Sequence, residues 1–245
     1  MSRVGALLAG VAALGLAACQ QAESRSTFDA RVRAYLMAHP DDLKKAIANM
    51  QAKEDADEAR SEAAAYARGD AALPSLRAAV ERDSRDFVAN PNGKVTVTEF
   101  YDYRCPHCIS VAPKVVALIH SNPDVRFVFK EWPIFGSTSD HAARVALAAK
   151  AQGKDYVGLY EAFMAARPLT DDEVDRLATA KGVSLAQIGA PATQAKNQAQ
   201  LDDVANLAAK LGILGTPGFV VGNKIIRGDD AEAVAAAVAA AQKKA

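Results

Sequence analysis

Two cysteines separated by two residues are the part of this chain with the clearest chemistry. Cys105 and Cys108 flank Pro106 and His107, and this motif directly follows residues 95–101, a strand-like Val-Thr-Val-Thr-Glu-Phe-Tyr run. If a helix begins at Cys105, its unpaired backbone N–H groups and its dipole stabilise a thiolate and lower the thiol pKa. Cys108 then lies one turn further on, where it can attack a mixed disulfide formed at Cys105. The spacing therefore predicts a reversible dithiol–disulfide pair.

The residues between the cysteines fit this chemistry better than they fit a metal site. His107 places another positive or hydrogen-bonding group near the Cys105 sulfur, and Pro106 occupies a helix position that tolerates a missing N–H. A structural zinc ion needs about four ligands at defined spacing, which the other histidines do not supply; these are His39, His120 and His141. Two thiolates also suit copper(I), which we treat as a minor alternative. We expect no resident metal and no cofactor.

Composition limits the class of protein. Half of the 245 residues are apolar, which allows one substantial core and a smaller element. Lys and Arg together number 29, as do Asp and Glu, so nothing indicates a nucleic-acid surface.

The first 19 residues predict export from the cytoplasm. Arg3 gives a positive start, and the apolar run of residues 4–18 is too short for a comfortable membrane span. The run ends in Leu-Ala-Ala-Cys19, which resembles the bacterial lipobox and implies a lipid on Cys19; Gln20 after it suggests the outer membrane. The alternative is an ordinary secretory signal that is cut nearby. Both place the chain where disulfides persist and leave two thiols in the mature protein.

The pattern of residues 20–89 predicts an N-terminal helical region. Apolar residues recur at helical spacing, Pro40 interrupts the pattern, and the Gly69-Asp70 pair and Pro74 predict a second break, followed by a short helical stretch that ends near residue 88. Asn90-Pro91-Asn92-Gly93 is a strong turn signal, which we take as the domain boundary. The apolar stripe consists of Phe28, Val32, Tyr35, Leu36, Leu43, Ile47 and Met50.

This stripe is too narrow to form a core of its own. It can bury against the following domain, against a membrane or against another copy of the chain. We favour self-association, because the domain that follows has a complete pattern without these helices.

The pattern after residue 93 predicts an α/β domain over residues 90–245. Strand-like and helical runs alternate, and Gly222-Asn223 is a hairpin dipeptide between two strands. In chain order we expect a strand at 95–101, a helix at 105–121, a strand at 125–130, a helical insert at about 136–211, strands at 219–221 and 224–226, and a helix at 231–243.

This order resembles the thioredoxin fold with a helical insertion, as in the DsbA-like thiol–disulfide oxidoreductases. The resemblance is carried by the ten residues from Glu99 to Cys108, which contain the Pro-His dipeptide typical of DsbA. It is also carried by Gly215-Thr216-Pro217 before a strand, which is similar to the family's cis-proline loop. Glu99 matches the family's buried acid beneath the active site.

The resemblance implies roles for these residues. Pro217 is expected to be the cis-proline, which exposes the backbone of Thr216 for pairing with an extended substrate peptide. Glu99 is expected to be a proton relay for Cys108, with a pKa raised by desolvation. Lys130 on the neighbouring strand either pairs with Glu99 or ends its strand in solvent.

With its N-terminal helical region, the chain resembles one group of DsbA-like proteins in particular, the suppressor-of-copper-sensitivity C (ScsC) proteins. This similarity implies a periplasmic homotrimer that acts as a disulfide isomerase on misfolded exported proteins and is kept reduced by a DsbD/ScsB-like membrane reductase. Thr216 is similar to the residue found in several isomerase-type relatives, which also favours an isomerase.

Three hypotheses remain open from the sequence. A low thiol pKa favours the reduced state that an isomerase needs, but it equally makes the disulfide form a strong oxidant. The chain is therefore an oligomeric isomerase or reductase, a monomeric DsbA-like oxidase with helical spacers, or a copper-binding module that uses the thiols as ligands.

Overall fold

The computed structural model describes residues 25–186 and 188–244. The predicted signal segment and Cys19 lie outside the described residues. No helix in the described part of the chain has the length and apolar character needed to cross a membrane. The chain divides into two units, one up to Asp57 and one from Glu58 onward.

The first unit contains two helical segments. Helix α1 (Arg25–Ala38) ends just before Pro40, and helix α2 (Pro40–Glu81) begins with that proline. The break follows because proline disfavours helical backbone in the residue before it but suits a first helical position. Every residue from 25 to 57 is exposed. The exposed apolar side chains are Phe28, Val32, Tyr35, Leu36, Met37, Leu43, Ile47 and Met50.

The second unit begins within α2, which continues through Gly69-Asp70 and Pro74, so the break expected there was wrong. Gly69 is buried, and a Cβ atom there would lie 1.9 Å from the carbonyl oxygen of Leu211. Glycine at position 69 therefore permits a close approach of α2 to the backbone of Leu211, far along the chain, and does not end the helix. Pro74 is on the exposed side of α2, where water can satisfy the carbonyl group that a proline releases.

The last turns of α2 are part of the core of this unit. Leu73 and Val80 are almost fully buried and pack with Phe100, Leu207 and Leu211. Residues 58–89 therefore have a structural role in this unit, besides the oligomerisation role that their helical pattern suggested.

A five-stranded mixed sheet forms the centre of the unit. The strands are β1 (Phe87–Ala89), β2 (Val95–Tyr101), β3 (Val125–Glu131), β4 (Gly218–Val221) and β5 (Lys224–Arg227). Their order in the sheet is β1-β3-β2-β4-β5; strands β2 and β3 are parallel and the other neighbours are antiparallel. Strand β1 replaces the short helical stretch expected near residue 88.

Helices cover both faces of the sheet. The remaining helices are α3 (Pro106–Ser121), α4 (Ser137–Ala151), α5 (Tyr156–Ala165), α6 (Asp171–Ala180), α7 (Pro191–Lys210) and α8 (Ala231–Gln242). Helices α3, α5 and α8 contribute to the core that contains Val97, Tyr101 and Phe129, whereas the end of α2 and α7 pack around Phe100. The helical insertion falls between β3 and β4, so the predicted fold class is confirmed.

Candidate active site

Cys105 lies at the N-cap of α3, at the junction that follows strand β2. Its backbone is extended, with φ −69° and ψ 121°, and Pro106 occupies the first turn of the helix. The carbonyl oxygen of Cys105 accepts a hydrogen bond from Ile109 N at 3.0 Å, as an N-cap residue should. Cys105 and Cys108 are free thiols, and both are buried.

The surroundings of Cys105 favour its thiolate. The pKa of Cys105 is lowered to about 5, chiefly by a hydrogen bond from Cys108, with burial acting in the opposite direction. The backbone N–H groups of Cys108 and His107 lower the pKa further. These amides belong to the first turn of α3, where the helix leaves its N–H groups without internal partners. Cys105 is therefore an anionic nucleophile at neutral pH.

Cys108 has the opposite environment. Its side chain is fully buried, and burial is the main cause that raises its pKa well above the usual value. The hydrogen bond with Cys105 and the negative charge of Glu99 act in the same direction. Cys108 thus stays protonated until it attacks, which separates a nucleophilic thiol from a resolving thiol.

The loop before β4 contacts the nucleophile. The Thr216–Pro217 peptide bond is cis, and the Cys105 Sγ lies 3.1 Å from the Thr216 carbonyl oxygen, to which the protonated form of the thiol donates. Leu214, two residues earlier, is 55% exposed. The structure therefore brings Thr216 and Pro217 to the cysteine pair and leaves an apolar side chain open beside them.

The His107 side chain is exposed and pairs with Asp229. Its Nδ1 lies 3.0 Å from Asp229 Oδ2, and the hydrogen bond with Asp229 is the main cause that raises the pKa of His107. The His107 contribution to the lowered pKa of Cys105 comes through its backbone N–H. A tuning role for the imidazole stays a prediction, and its partner Asp229 had no signal in the sequence.

Glu99 is fully buried on the same side of the sheet as α3 and α5. The Tyr160 hydroxyl lies 3.3 Å from both carboxyl oxygens. Burial raises the pKa of Glu99 to about 8. The raised pKa and the influence of Glu99 on Cys108 are the properties that a proton relay requires.

Lys130 neither pairs with Glu99 nor reaches solvent, so both expectations for it were wrong. In the parallel pair of strands, Glu99 is opposite Phe129, and Lys130 is opposite Phe100 on the other face of the sheet. The Lys130 ammonium lies 2.5 Å from Asp86 Oδ2 and donates to the carbonyl oxygen of Ala79 at 2.6 Å.

Asp102 organises the loops around the cysteines, and it was not among the residues predicted from the sequence. It is buried directly after β2. Its Oδ1 accepts hydrogen bonds from Arg104 N at 2.7 Å and from the Ser139 hydroxyl at 2.8 Å. Its Oδ2 accepts from Ile134 N at 2.7 Å and from Phe135 N at 3.0 Å. One carboxylate thus joins the segment before Cys105 to a loop with two half-exposed apolar side chains.

Within the described residues, no three His, Cys, Asp or Glu side chains are grouped so that they could hold a metal ion. The geometry instead brings a low-pKa thiol, a buried second thiol and a cis-proline loop together, with a buried acid whose charge acts on the second thiol. This arrangement performs thiol–disulfide exchange.

The comparisons with known proteins agree with this chemistry. The sequence pattern of the DSBA-like thioredoxin domain matches residues 96–239. No curated protein matches the chain at a significant level. A thioredoxin-like oxidoreductase from Silicibacter pomeroyi DSS-3 is 38% identical; the match covers 69% of this chain and 99% of that chain, with a TM-score of 0.62.

Two further structures extend the comparison. A periplasmic thioredoxin-like protein from Salmonella enterica serovar Typhimurium is 26% identical, covers 68% of this chain and 95% of its own, and has a TM-score of 0.62. Proteus mirabilis ScsC in a transitional conformation is 24% identical over 90% of this chain and 97% of its own, with a TM-score of 0.66, and shows a shared fold. The chain is a thiol–disulfide oxidoreductase and belongs to the DsbA-like thioredoxin family.

Proposed function

We propose that this oxidoreductase is a periplasmic protein disulfide isomerase that works as a homotrimer. The Cys105 thiolate attacks a non-native disulfide in an exported protein and forms a mixed disulfide, releasing one substrate thiolate. Either another substrate thiol then attacks and leaves a corrected protein, or Cys108 attacks Cys105 and the enzyme leaves oxidised. Only the first outcome returns the enzyme reduced, so the second requires a reductant.

The observation that carries the isomerase proposal is the exposed apolar stripe of α1 and the start of α2. The side chains of this stripe are 38–55% exposed, and the first unit has no buried residue between 25 and 57. A second and third copy of the same stripe would cover these side chains by their own symmetry. Several catalytic sites on one oligomer would then hold one misfolded substrate and raise the effective concentration of thiolate beside it.

The assembly and its surroundings complete the proposal. The similarity to ScsC covers 90% of the chain and supports an oligomerisation role for the N-terminal helical region. A DsbD/ScsB-like membrane reductase would keep Cys105 and Cys108 reduced. The periplasmic relative from Salmonella supports a periplasmic location, and Cys19 would tether the protein to the outer membrane.

One observation favours a second candidate, a monomeric DsbA-like oxidase. The lowered pKa of Cys105 stabilises the reduced form of the enzyme and thereby makes its disulfide a strong oxidant. The two functions differ in starting redox state and in assembly, so one pair of assays separates them.

The test uses reactivation of scrambled, wrongly disulfide-bonded ribonuclease by the reduced protein. A Val32→Asp/Ile47→Asp variant places charges on the stripe, and an Ala30→Asp/Asn49→Asp variant places the same number on other faces of the same helices. We expect the parent and the control variant to be oligomeric and active. We expect the stripe variant to be monomeric and on the order of tenfold or more less active, with an unchanged Cys105 titration.

Two results would contradict the isomerase proposal. The first is equal reactivation by the monomeric stripe variant and the parent. The second is weak reactivation by all variants together with rapid oxidation of reduced ribonuclease by the disulfide form, which would establish the oxidase.

A further inference from the structure

A second buried acid lies near the active site and has no role in the reaction described so far. Glu131 ends strand β3 and is almost fully buried. Three tyrosine hydroxyls converge on its Oε1, from Tyr101 at 2.6 Å, Tyr156 at 2.5 Å and Tyr103 at 3.1 Å. Three donors on one carboxylate oxygen stabilise the charged form of that group.

Glu131 and Glu99 share one face of the sheet. Strand pairing places Glu99 opposite Phe129 and Tyr101 opposite Glu131, so the two acids occupy diagonal positions on neighbouring strands. Tyr160, the partner of Glu99, packs edge-on against Tyr101, the partner of Glu131, with ring centroids 5.1 Å apart. The two carboxyl groups are thus linked through a layer of buried aromatic rings.

No cation balances this pair among the residues that the structure describes. The buried cations of the sheet, Arg126 and Lys130, are on the opposite face, where they bond to Glu81 O and to Asp86 respectively. The titratable groups that face the pair are Cys108 from α3, Tyr156 and Tyr160 from α5, and Tyr101, Tyr103 and Asp102 at the end of β2.

Two like charges in such a site cannot both form at low cost. The pKa of each acid is raised to about 8, chiefly by burial, and the charge of Glu131 is one of the causes of the rise at Glu99. Glu131 has three hydroxyl donors, whereas Glu99 has one long contact to a tyrosine. Glu131 is therefore the better anion, and its charge makes Glu99 hold a proton more tightly.

We propose that Glu131 is a positioning residue of the thiol–disulfide reaction: in its pair with Glu99, Glu131 carries the negative charge and Glu99 holds the proton that passes to and from Cys108. The inference rests on the proposed relay role of Glu99.

The resolving step moves one proton and exchanges one disulfide bond for another. When Cys108 resolves a mixed disulfide, its thiol proton passes to the Glu99 carboxylate and its sulfur bonds to Cys105. The bond between Cys105 and the substrate sulfur breaks, and the substrate leaves as a thiolate. When an incoming thiolate opens the disulfide at Cys105, Cys108 leaves as a thiolate and takes the proton back from Glu99.

The test is the pH dependence of the resolving step. A disulfide reagent that releases thionitrobenzoate first labels Cys105, and attack by Cys108 then releases a second thionitrobenzoate. In Glu131→Gln, Glu99 loses its charged neighbour and becomes a base at lower pH. We expect the midpoint of the second release to move down by about one pH unit. Glu99→Gln removes this titration, and Cys108→Ser gives only the first release.

Two tyrosine variants test the same idea without changing a carboxyl group, and they serve also if Glu131→Gln does not fold. Tyr156→Phe removes a donor from Glu131, which weakens its anion, so the midpoint should move down. Tyr160→Phe removes the donor from Glu99, so the midpoint should move up. A merely structural role would not produce opposite signs from two buried Tyr-to-Phe changes on one helix.

An unchanged midpoint in Glu131→Gln, or shifts of the same sign in the two tyrosine variants, would overturn the proposal. An unchanged midpoint in Glu99→Gln would remove the relay role of Glu99 and this pair with it. Reactivation of scrambled ribonuclease by the same samples reports separately on the isomerase proposal.

Discussion

The two sulfurs of the active site lie within one helical turn of each other, yet they meet opposite environments. Cys105 receives hydrogen bonds at the start of α3, and Cys108 is fully buried behind it with Glu99 nearby. An incoming disulfide therefore meets one charged nucleophile, and the second thiol becomes reactive only when its proton can leave. This division of roles follows from position on the helix, because both residues are of one type.

The Cys105 thiolate should make the stability of the reduced protein depend on pH. The pKa of Cys105 is about 5 in the folded state, against an ordinary value of 9.0. The stabilisation from this group is therefore complete above about pH 9, declines as the pH falls, and is lost near pH 5. We expect the melting temperature of the reduced protein, measured relative to that of Cys105→Ser at each pH, to fall as the pH is lowered from about 9 to about 5.

Absorbance of the thiolate in the ultraviolet gives the same pKa independently. A titration midpoint near pH 9, or a constant difference in melting temperature between the two proteins, would contradict the lowered pKa.

Asp102→Asn should damage the site without touching a sulfur. An amide places an N–H₂ group against backbone N–H donors that now face a carboxylate oxygen, such as Ile134 N or Phe135 N. We expect a loss of about 1–3 kcal/mol in the free energy of unfolding and slower reduction of insulin. Ser139→Ala removes one donor only and should cost less; equal stability of Asp102→Asn and the parent would refute the role of Asp102.

Sequence reasoning reached the residues whose role depends on neighbours along the chain or on a family motif. Cys105, Cys108, Thr216 and Glu99 are of this kind. Asp102 and Glu131 were missed because their roles depend on which strands pair and in what register, which no local pattern encodes. The sequence did contain one hint, because an acidic residue directly follows each of the predicted strands at 95–101 and 125–130.

At the scale of elements, the attachment of α2 to the sheet depends on a buried ion pair. Lys130 reaches across to the carbonyl oxygen of Ala79 in α2 and to Asp86, which follows that helix. Both charged side chains are about 1% exposed. A pair of this kind holds the helix in one position, but each member is costly to bury without the other.

Asp86→Ala should therefore destabilise the protein by about 3–5 kcal/mol, because it leaves the Lys130 ammonium buried without its counter-ion. The double variant Asp86→Ala/Lys130→Met removes both charges and should recover much of this loss. Denaturant unfolding of the single and double variants gives the coupling. Additive effects of the two substitutions would show that the pair does not act as a unit.

The elements also show how helix-breaking residues can mislead. Gly69 and Pro74 read as a break, but tertiary packing uses the first for a close backbone approach and tolerates the second on a solvated side. The alternation of strands and helices after residue 93 was predictable, because periodicity and turn dipeptides are local properties. The three-residue strand β1 was not, since its pairing with β3 supplies the stabilisation that its length lacks.

At the scale of the whole molecule, the first unit and the second unit have different surfaces. The second unit buries its large apolar side chains apart from a few such as Ile134, Phe135 and Leu214, whereas residues 25–57 of the first unit are all exposed. Exposed apolar patches that are rimmed by polar residues mark interaction sites. The proposed assembly therefore predicts a concentration dependence that a monomeric enzyme lacks.

Dilution should lower the isomerase activity of each chain while leaving its thiol chemistry unchanged. As the protein falls below the dissociation concentration of the oligomer, the sites separate and the effective concentration of a second thiolate near a bound substrate is lost. Sedimentation and ribonuclease reactivation over one concentration series test this. Constant activity per chain while the molar mass falls would show that single sites are sufficient.

The four hydrogen bonds that converge on Asp102 have a consequence for the entropy of catalysis. They fix the segment before Cys105 and the loop of Ile134 and Phe135 to one another when the chain folds. The conformational freedom of both loops is therefore given up once, during folding, and not again with each substrate. If the substrates are proteins of different sequence, as proposed, the enzyme loops lose little further conformational entropy on binding, and most of that loss falls on the substrate.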